Sequence, residues 1–267
     1  MDKPWLTVGM ASYDNFADVW FTVQALRMFH NTEMVEILVV DNSGQPRLKE
    51  WAKAWCGDTV RVETYTKGKG TTQPRQRVFS EARGEWVLCI DSHVMLAPRS
   101  LELFHEWTWA NMESVDLLHG PMLYDDLRTT ASHMADEWRD NMWGTWQHDD
   151  CKPMDAEREI PMHGLGLFGC RRETWLGFNA DFRGFGGEEG YIHEKYRQAG
   201  RKVLLLPFLR WVHKFNDPRD IRYPLRQEDR VRNYLLGFEE LGLDPAPIFE
   251  HFGEMATNVM VEREVFG

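Results

Sequence analysis

Apolar and polar residues follow two rhythms in the first third of the chain. Apolar runs of strand type occupy residues 5–11, 35–40, 59–65 and 86–90. Between them, residues 16–29, 48–55 and 75–83 carry apolar side chains at helical spacing. Strands that alternate with helices predict a mostly parallel sheet with right-handed crossovers. Ligands bind such sheets beyond the carboxyl ends of the strands, and Asp41 and Asp91 lie at two of these ends.

The pattern becomes less regular after residue 95. Helical spacing recurs at residues 100–112, 189–199 and 228–241, and strand-like runs occur at 115–123 and 203–206. Residues 125–159 are polar, weakly patterned and rich in tryptophan, which predicts long loops with short helices. We expect a nucleotide-binding half at residues 1–95 and a sugar and acceptor half at 96–223, which together form one catalytic domain at 1–223. Residues 224–267 would form a C-terminal helical extension.

Composition narrows the classes of protein. A chain of 267 residues that is 43% hydrophobic can bury a sizeable core. Its net charge of -11 does not attract polyanions globally, although residues 201–232 are locally basic. The four cysteines form no CxxC pair, and no apolar run is long enough to span a membrane. We therefore expect a cytoplasmic protein, in a bacterial cell or in the host cytoplasm if the source is viral.

Asp91-Ser92-His93 is the first motif that suggests chemistry, because it directly follows an apolar run. In an extended segment, residues i and i+2 point the same way, so a carboxylate and an imidazole can face one cation. Mn2+ accepts this mixture of oxygen and nitrogen ligands and leaves positions open for phosphate oxygens. A turn capped by Asp91 explains the same residues, and for the motif alone that interpretation is favoured.

Two later motifs add to this one. Glycines are frequent at residues 164–169 and 182–189, where they let the backbone approach a ligand closely. Glu188 and Glu189 follow a glycine pair and precede a helix, whose N-terminus also favours carboxylates for structural reasons. His213 follows a strand, and a lone histidine is more often a hydrogen-bonding residue than a ligand.

Taken in order, these motifs resemble the catalytic domain of the polypeptide N-acetylgalactosaminyltransferases, which are GT-A glycosyltransferases of the family 2/27 type. The resemblance covers roughly residues 4–216 and rests on the ordered set of motifs rather than on any one of them. It implies an α/β GT-A fold with a Rossmann-like, mixed but mostly parallel central sheet flanked by helices. We expect a stripped form of bacterial or viral type, without the lectin domain and membrane anchor of the animal enzymes.

The resemblance also implies roles for single residues. Asp91, His93 and His213 would bind Mn2+, with Mg2+ as an alternative. The nucleotide-sugar, in the first place a UDP-sugar, would contact Ser12, Asp41, Arg75, Asp91, Gly166, Phe185, Gly187 and Glu188. Among these, Asp41 would recognise the base, Arg75 would lie near the diphosphate, and Glu188 would hydrogen-bond sugar hydroxyls.

The chain departs from the family pattern at three positions. Phe185 replaces a tryptophan, which keeps stacking but loses the indole donor. Asn216 stands where an arginine would hold phosphate, and Lys214 or Arg219 could substitute for it. Glu189 replaces an asparagine and is a candidate general base, as in related inverting galactosyltransferases. The resembled family retains configuration and needs no protein base, so both stereochemical outcomes stay open.

The acceptor has three candidates: a protein Ser or Thr, a hydroxyl of another sugar, and a hydroxymethylated base in DNA. Residues 138–146, rich in tryptophan, could form an acceptor wall, and the basic residues of 210–232 could bind DNA in a salt-dependent way. The overall acidity puts a protein or glycan hydroxyl slightly ahead. Two rival functions are a sugar-phosphate nucleotidyltransferase and a binding module without catalysis. Residues 9–15 lack the phosphate loop of the first, and the full set of metal ligands disfavours the second.

Overall fold

The computed structural model describes residues 3–215 and 225–266. The strands are β1 Leu6–Ser12, β2 Val35–Asp41, β3 Val60–Thr64, β4 Trp86–Asp91, β5 Val94–Leu96, β6 Leu117–His119, β7 Met122–Leu123, β8 Thr130–Arg139, β9 Met142–His148, β10 Arg158–Glu159, β11 Leu167–Arg171, β12 Val203–Leu205 and β13 Trp211–His213. The helices are α1 Phe16–Phe29, α2 Pro46–Trp55, α3 Thr72–Glu81, α4 Ser100–Ala110, α5 Glu188–Gln198, α6 Gln227–Leu241, α7 Ala246–Phe252 and α8 Glu254–Phe266.

A mixed sheet of eight strands forms the centre of the fold, in the order β10-β12-β6-β11-β4-β1-β2-β3. Strands β4, β1, β2 and β3 are parallel, whereas β11 runs antiparallel to β4. Strand β2 is buried along its whole length because helices cover both faces. Ile37 and Val39 belong to the core cluster that includes residues of α1 and α2, and Leu38 and Val40 belong to the cluster that includes residues of α3. The predicted α/β architecture is confirmed, and so is the alternation of strands and helices in the first 91 residues.

A second sheet of five strands, in the order β5-β13-β7-β8-β9, adjoins the first. The chain leaves the large sheet at His119 and enters the small one at Met122. The single strand predicted at residues 115–123 is therefore wrong. At Gly120 a Cβ atom would lie 1.6 Å from the Leu209 carbonyl oxygen, so only glycine allows the backbone to pass this point between the sheets.

The prediction of long loops with short helices at residues 125–159 is also wrong. Strands β8 and β9 form a long antiparallel hairpin there. Its register shifts twice, between Ala131 and His133 and between Ala135 and Trp138. Each shift interrupts the alternation of inward and outward side chains by which a strand is recognised in a sequence. The pattern is therefore concealed although the strands are long.

The last three helices pack against this hairpin. Trp143 is buried with Tyr234 and Phe238 of α6, and the Trp138 ring stacks on Trp143 with their centroids 5.7 Å apart. The helix predicted at residues 228–241 is confirmed as α6. The proposed limit between residues 223 and 224 falls outside the described residues, and the division into domains stays a prediction. Within the described part of the chain, no helix is both long and apolar enough to cross a membrane.

Candidate active site

A cleft of about 660 Å³ opens at the carboxyl ends of β1 and β4, where the two sheets meet. It is lined by the strand ends Ser12 and Asp91 and by the glycine-rich segments around Gly166 and Phe185. Its lining also includes Tyr13, Asn15, Asp18, Asn42, Gly70, Thr71, Arg75, His93, Trp146, Glu189, Trp211, His213, Lys214 and Phe215. The cleft thus lies where a parallel sheet is expected to bind its ligand.

Asp91, His93 and His213 come together at the bottom of the cleft. Their nearest ligand atoms all lie within 4.8 Å of one another, and they form the one group of this kind among the described residues. The two Nε2 atoms are 3.1 Å apart, and His213 Nε2 is 3.6 Å from Asp91 Oδ2. Strand pairing explains the contact, because β13 runs antiparallel to β5 and sets His213 opposite Val94, next to His93.

This donor set fits a divalent cation. Two ligands bonded at about 2.0–2.2 Å and at right angles to each other lie about 3 Å apart, which matches the two Nε2 atoms. Burial lowers the pKa of His93, against the opposing effect of Asp91, and so favours the neutral imidazole that a metal requires. Burial alone would raise the pKa of Asp91, but the positive charge of Arg75, the hydrogen bond with His213 and the charges of the two histidines together outweigh it, lower the pKa and keep Asp91 ionised.

Arg75 connects this cluster to Glu188, at the start of helix α5. Its side chain is 7% exposed, and it donates from one nitrogen to Asp91 Oδ1 at 2.7 Å and from another to Glu188 Oε1 at 3.1 Å. Burial works against the charge of Arg75, but the two carboxylates raise its pKa, so the guanidinium stays protonated. The sequence predicted that Arg75 lies near the diphosphate. In the structure Arg75 lies on α3, between the carboxylates of Asp91 and Glu188.

Glu188 and Glu189 begin helix α5. Glu188 is fully buried and also accepts a hydrogen bond from Thr71 Oγ1, while its Oε2 has no partner in the described structure. Glu189 lines the cleft. Burial, assisted by the negative charge of Glu188, raises the pKa of Glu189 from 4.5 to about 7. The two neighbouring carboxylates therefore have different environments, one locked in an ion pair and one protonated near neutrality.

Glycine is required at two places in the glycine-rich segments that border the cleft. Gly186 and Gly187, which precede α5, both have φ of +92°, a conformation that other residues rarely adopt. A Cβ atom on Gly166 would lie 2.6 Å from the Trp211 ring. The Gly166 carbonyl accepts from the Asp91 N–H at 2.9 Å, so the glycine segment lies directly against the metal-ligand cluster.

The structure brings most of the predicted site residues together at the cleft, but not all of them. Ser12, Arg75, Asp91, His93, Gly166, Phe185, Glu189 and His213 line it. Gly187 and Glu188 do not belong to the lining, and neither does Asp41, whose Oδ1 holds the adjacent turn by accepting from the Ser43 backbone N–H and hydroxyl. Its neighbour Asn42 lines the cleft instead. Asn216 and Arg219 lie outside the described residues.

Several lining residues carry no signal in the sequence. Asp18, in the first turn of α1, accepts from Lys214 Nζ at 2.7 Å across 196 positions of chain. Nothing in the local pattern of α1 distinguishes Asp18 from an ordinary residue at a helix start. Of the tryptophans predicted as an acceptor wall, Trp138 and Trp143 serve the core, and Trp146 alone lines the cleft.

Comparison with known proteins was made on sequence and on structure. A model of a family described as glycosyl transferase family 2 matches residues 7–159. A search of curated proteins found no match. The structure resembles that of GalNAc-T7 with UDP, GalNAc and Mn2+, with a TM-score of 0.71 and 18% identity over 89% of this chain and 48% of that one. This chain therefore spans about half the length of GalNAc-T7.

Two further solved structures have the same fold. The mannosyltransferase PcManGT from Pyrobaculum calidifontis, in complex with GDP-Man and Mn2+, gives a TM-score of 0.61 at 15% identity, covering 99% of this chain and 76% of its own. TarS 1–349 from S. aureus, in complex with UDP-GlcNAc, gives a TM-score of 0.58 at 13% identity, covering 98% of this chain and 73% of its own. At these identities the likeness concerns the fold. The similarity to GalNAc-T7 confirms the resemblance that the ordered motifs indicated.

Proposed function

Because this chain belongs to glycosyl transferase family 2 and has the GT-A fold, we propose that it transfers a sugar from a nucleotide-sugar to a hydroxyl acceptor. The observation that carries the proposal is the convergence of Asp91, His93 and His213 in a cleft that Arg75 and Glu189 also line, with Glu188 buried and paired with Arg75. In this proposal the first three residues hold Mn2+ or Mg2+. Once bound there, the cation would supply positive charge that stabilises the departing nucleotide diphosphate.

The chain's own residues orient the two substrates. Arg75, fixed between Asp91 and Glu188, keeps both carboxylates in place and adds positive charge next to the diphosphate. Gly166 lies beneath the sugar, and Glu188, Gly187 and Phe185 border it. Asp41 keeps its proposed role at the nucleotide base, with Asn42 as the neighbour that reaches the cleft. Ser12, whose buried Oγ has no partner in the described structure, offers a further hydrogen bond to the nucleotide.

Glu189 is the proposed general base. It lines the cleft, and its pKa of about 7 lies near the pH at which a base works best. Its carboxylate would take the proton of the acceptor hydroxyl as that oxygen attacks the anomeric carbon, on the face opposite the leaving diphosphate. The reaction would then invert the configuration of the sugar.

A UDP-sugar is the proposed donor, and a hydroxyl of a protein Ser or Thr or of a glycan is the proposed acceptor. GalNAc-T7 and TarS were both solved with UDP or a UDP-sugar, whereas PcManGT was solved with GDP-Man. Arg75 and Lys214 are the cationic residues among the described lining, and both are paired with carboxylates. Since the lining offers no unpaired cation for a phosphate backbone, a DNA acceptor is less well supported. The cytoplasmic location belongs to the same proposal.

A donor screen tests the proposed function directly. The protein would be incubated with Mn2+ and a panel of UDP- and GDP-sugars, and both nucleotide release and thermal shift would be measured. We expect one UDP-sugar to raise the melting temperature only when the metal is present, because a ligand that binds the native state stabilises it. Release of pyrophosphate instead of UDP would favour a nucleotidyltransferase. Binding without any release in the presence of varied acceptors would favour a non-catalytic module.

Replacing Glu189 by glutamine should lower kcat by about 10²–10⁴-fold, the usual contribution of a general base. Donor binding, measured by thermal shift with Mn2+, should stay close to that of the wild type, because the amide keeps the size of the side chain. In the wild type, kcat/KM should rise with pH up to about 7, as Glu189 loses its proton. A variant with near-wild-type turnover would remove Glu189 as the base and favour retention.

The same residue should make stability depend on pH. Because the pKa of Glu189 in the folded protein, about 7, lies above its ordinary value of 4.5, the proton stabilises the fold below that ordinary value. This contribution is lost as the pH rises through about 7, and is on the order of 1–2 kcal/mol after allowance for partial exposure. The Glu189→Gln variant should not show this loss of stability, because glutamine does not titrate. Urea denaturation of both proteins at about pH 5 and 8 checks this, and a pH-independent difference would contradict it.

A further inference from the structure

Three histidines outside the candidate active site lie together in the interior. His119 ends β6, His163 lies in the segment before β11, and His193 belongs to α5, and all three have 0% exposure. The rings of His163 and His193 stack on that of His119, with centroids 5.0 and 4.8 Å away. None of the three lines the cleft, but Gly164, next to His163, does. The cluster therefore lies directly behind the glycine-rich segment that begins at Gly164 and lines the cleft.

The hydrogen bonds of His119 and His193 impose a strict condition on their protons. His119 Nδ1 is 3.1 Å from the Leu167 carbonyl oxygen, and His193 Nδ1 is 2.5 Å from the Glu189 carbonyl oxygen. A carbonyl can only accept, so each Nδ1 must carry a hydrogen. The two Nε2 atoms face each other at 2.9 Å. His193 Nε2 also lies 3.2 Å from the backbone N–H of His163, which donates to it.

With the ring orientations of the structure, no neutral arrangement of this pair satisfies all contacts. If both rings carry their hydrogen on Nδ1, two lone pairs oppose each other at 2.9 Å. If the hydrogen of either ring moves to Nε2, the lone pair on its Nδ1 faces a carbonyl oxygen instead. One additional proton removes the conflict when it sits on His119. His119 then donates twice, to Leu167 and to His193, and His193 accepts from both His119 and His163.

Burial of this charge has a cost. Loss of hydration lowers the pKa of His119 well below 6.5, and the neighbouring imidazoles His193 and His163 act in the same direction. Burial likewise lowers the pKa of His163 to about 4 and that of His193 to about 3, so burial opposes a charge on all three rings. Arg197 on α5 and His133 on β8 are the other charged or titratable groups acting on the cluster. Two charge-assisted hydrogen bonds donated by His119 oppose the cost. His193 Nε2 accepts from the His163 N–H, and His163 Nε2 has no partner in the described structure, so the additional proton belongs to His119.

The position of the pair connects it to the cleft. Leu167 follows Gly166, whose carbonyl accepts from the Asp91 N–H. Glu189 follows Glu188 at the start of α5. His119 therefore ties the strand that borders the metal-ligand cluster to the helix turn that carries the two glutamates. We propose that His119 is a positioning residue that carries two ring protons and, through His193, holds the Glu188–Glu189 turn against the donor sugar.

The protonation state can be measured without any enzymatic assay, although the positioning role rests on the proposed function. Two-bond 1H–15N correlation spectra of the 15N-labelled protein report the protonation of every imidazole nitrogen. Signals of His119 and His193 would be assigned from the spectra of His119→Gln and His193→Gln. At neutral pH we expect both nitrogens of His119 to be protonated, with Nε2 of His193 unprotonated. A His119 ring with one bare nitrogen at pH 6 in the folded protein would overturn the proposal.

Kinetics then test the positioning role. His119→Gln keeps a donor but reaches only one of the two partners, so we expect kcat to fall about tenfold while donor KM changes by less than about twofold. His105→Gln on α4, away from the cluster, should leave both constants unchanged. A wild-type kcat in His119→Gln would overturn the positioning role. Should no donor be turned over at all, the spectra would still decide whether His119 carries its second proton.

Discussion

Replacing Asp91 by asparagine is expected to abolish Mn2+-dependent donor binding and to reduce sugar transfer by about a thousandfold, which corresponds to about 4 kcal/mol of transition-state stabilisation. The amide has nearly the same shape but no charge, so it is a poor ligand for a hard cation. His93 and His213 would remain, with Nε2 atoms 3.1 Å apart. Two imidazoles without the carboxylate do not supply the negative charge that attracts Mn2+ to the cleft.

Calorimetric titration of Mn2+ in the presence of UDP measures this effect. In the Asp91→Asn variant the amide oxygen can still accept from Arg75, so the fold should be maintained, and a melting curve without metal checks it. Asp150→Asn is the matched control, because Asp150 is exposed and, among the described residues, its ion pair is with Lys152. His213→Gln should weaken metal binding in the same direction. If Asp91→Asn bound Mn2+ and UDP as tightly as the wild type, the cation would have to be held elsewhere.

Replacing Arg75 by methionine is expected to lower the free energy of unfolding by about 3–5 kcal/mol, the usual cost of leaving a buried charge without its partner. The substitution leaves Glu188, which is fully buried, with Thr71 as its one remaining side-chain partner among the described residues. It also removes the charge-assisted hydrogen bond to Asp91 at 2.7 Å. Transfer should be lost as well, since both carboxylates lose their fixed orientation.

Urea denaturation of a set of variants separates this effect from a general effect on α3. Arg77 lies on the same helix and pairs with Glu81 in a largely exposed ion pair, so Arg77→Met should cost less than about 1 kcal/mol. The double variant Arg75→Met with Glu188→Gln should be more stable than Arg75→Met alone, because the unpaired carboxylate is gone. A stability of Arg75→Met equal to that of Arg77→Met would contradict the role assigned to the buried pair.

The ion pairs of Arg75 also connect the metal-ligand cluster to the start of helix α5. Asp91 belongs to β4 and Glu188 to α5, and Arg75 on α3 contacts both. The two parts predicted to hold the leaving group and the sugar are thus connected through one side chain. A change that weakens either carboxylate is expected to disturb the other, so double-variant energies should be non-additive.

The amino-acid sequence by itself determined the elements whose pattern is local. Strands β1 to β4 and helices α1 to α3 followed from apolar periodicity, because each buries faces with a period of two or 3.6 residues. The ordered motifs also identified the family and the candidate metal ligands. Asp91 and His93 are only two positions apart, so the local sequence suffices to bring them near one cation, although Ser92 and His93 form a turn between β4 and β5 rather than the expected extended segment.

The tertiary structure decided what depends on contacts between distant segments. The hairpin of β8 and β9 was missed, since its bulges interrupt the alternation, and its contacts are with distant segments, namely β7 and the helices that follow residue 225. The pairing of β5 with β13 brings His213 to His93 across 120 positions, which no local pattern encodes. Likewise, Lys214 reaches Asp18, and His119 reaches His193, because strand order in the two sheets places them together. Periodicity shows which face of an element is buried, whereas sheet topology selects the partner that it meets.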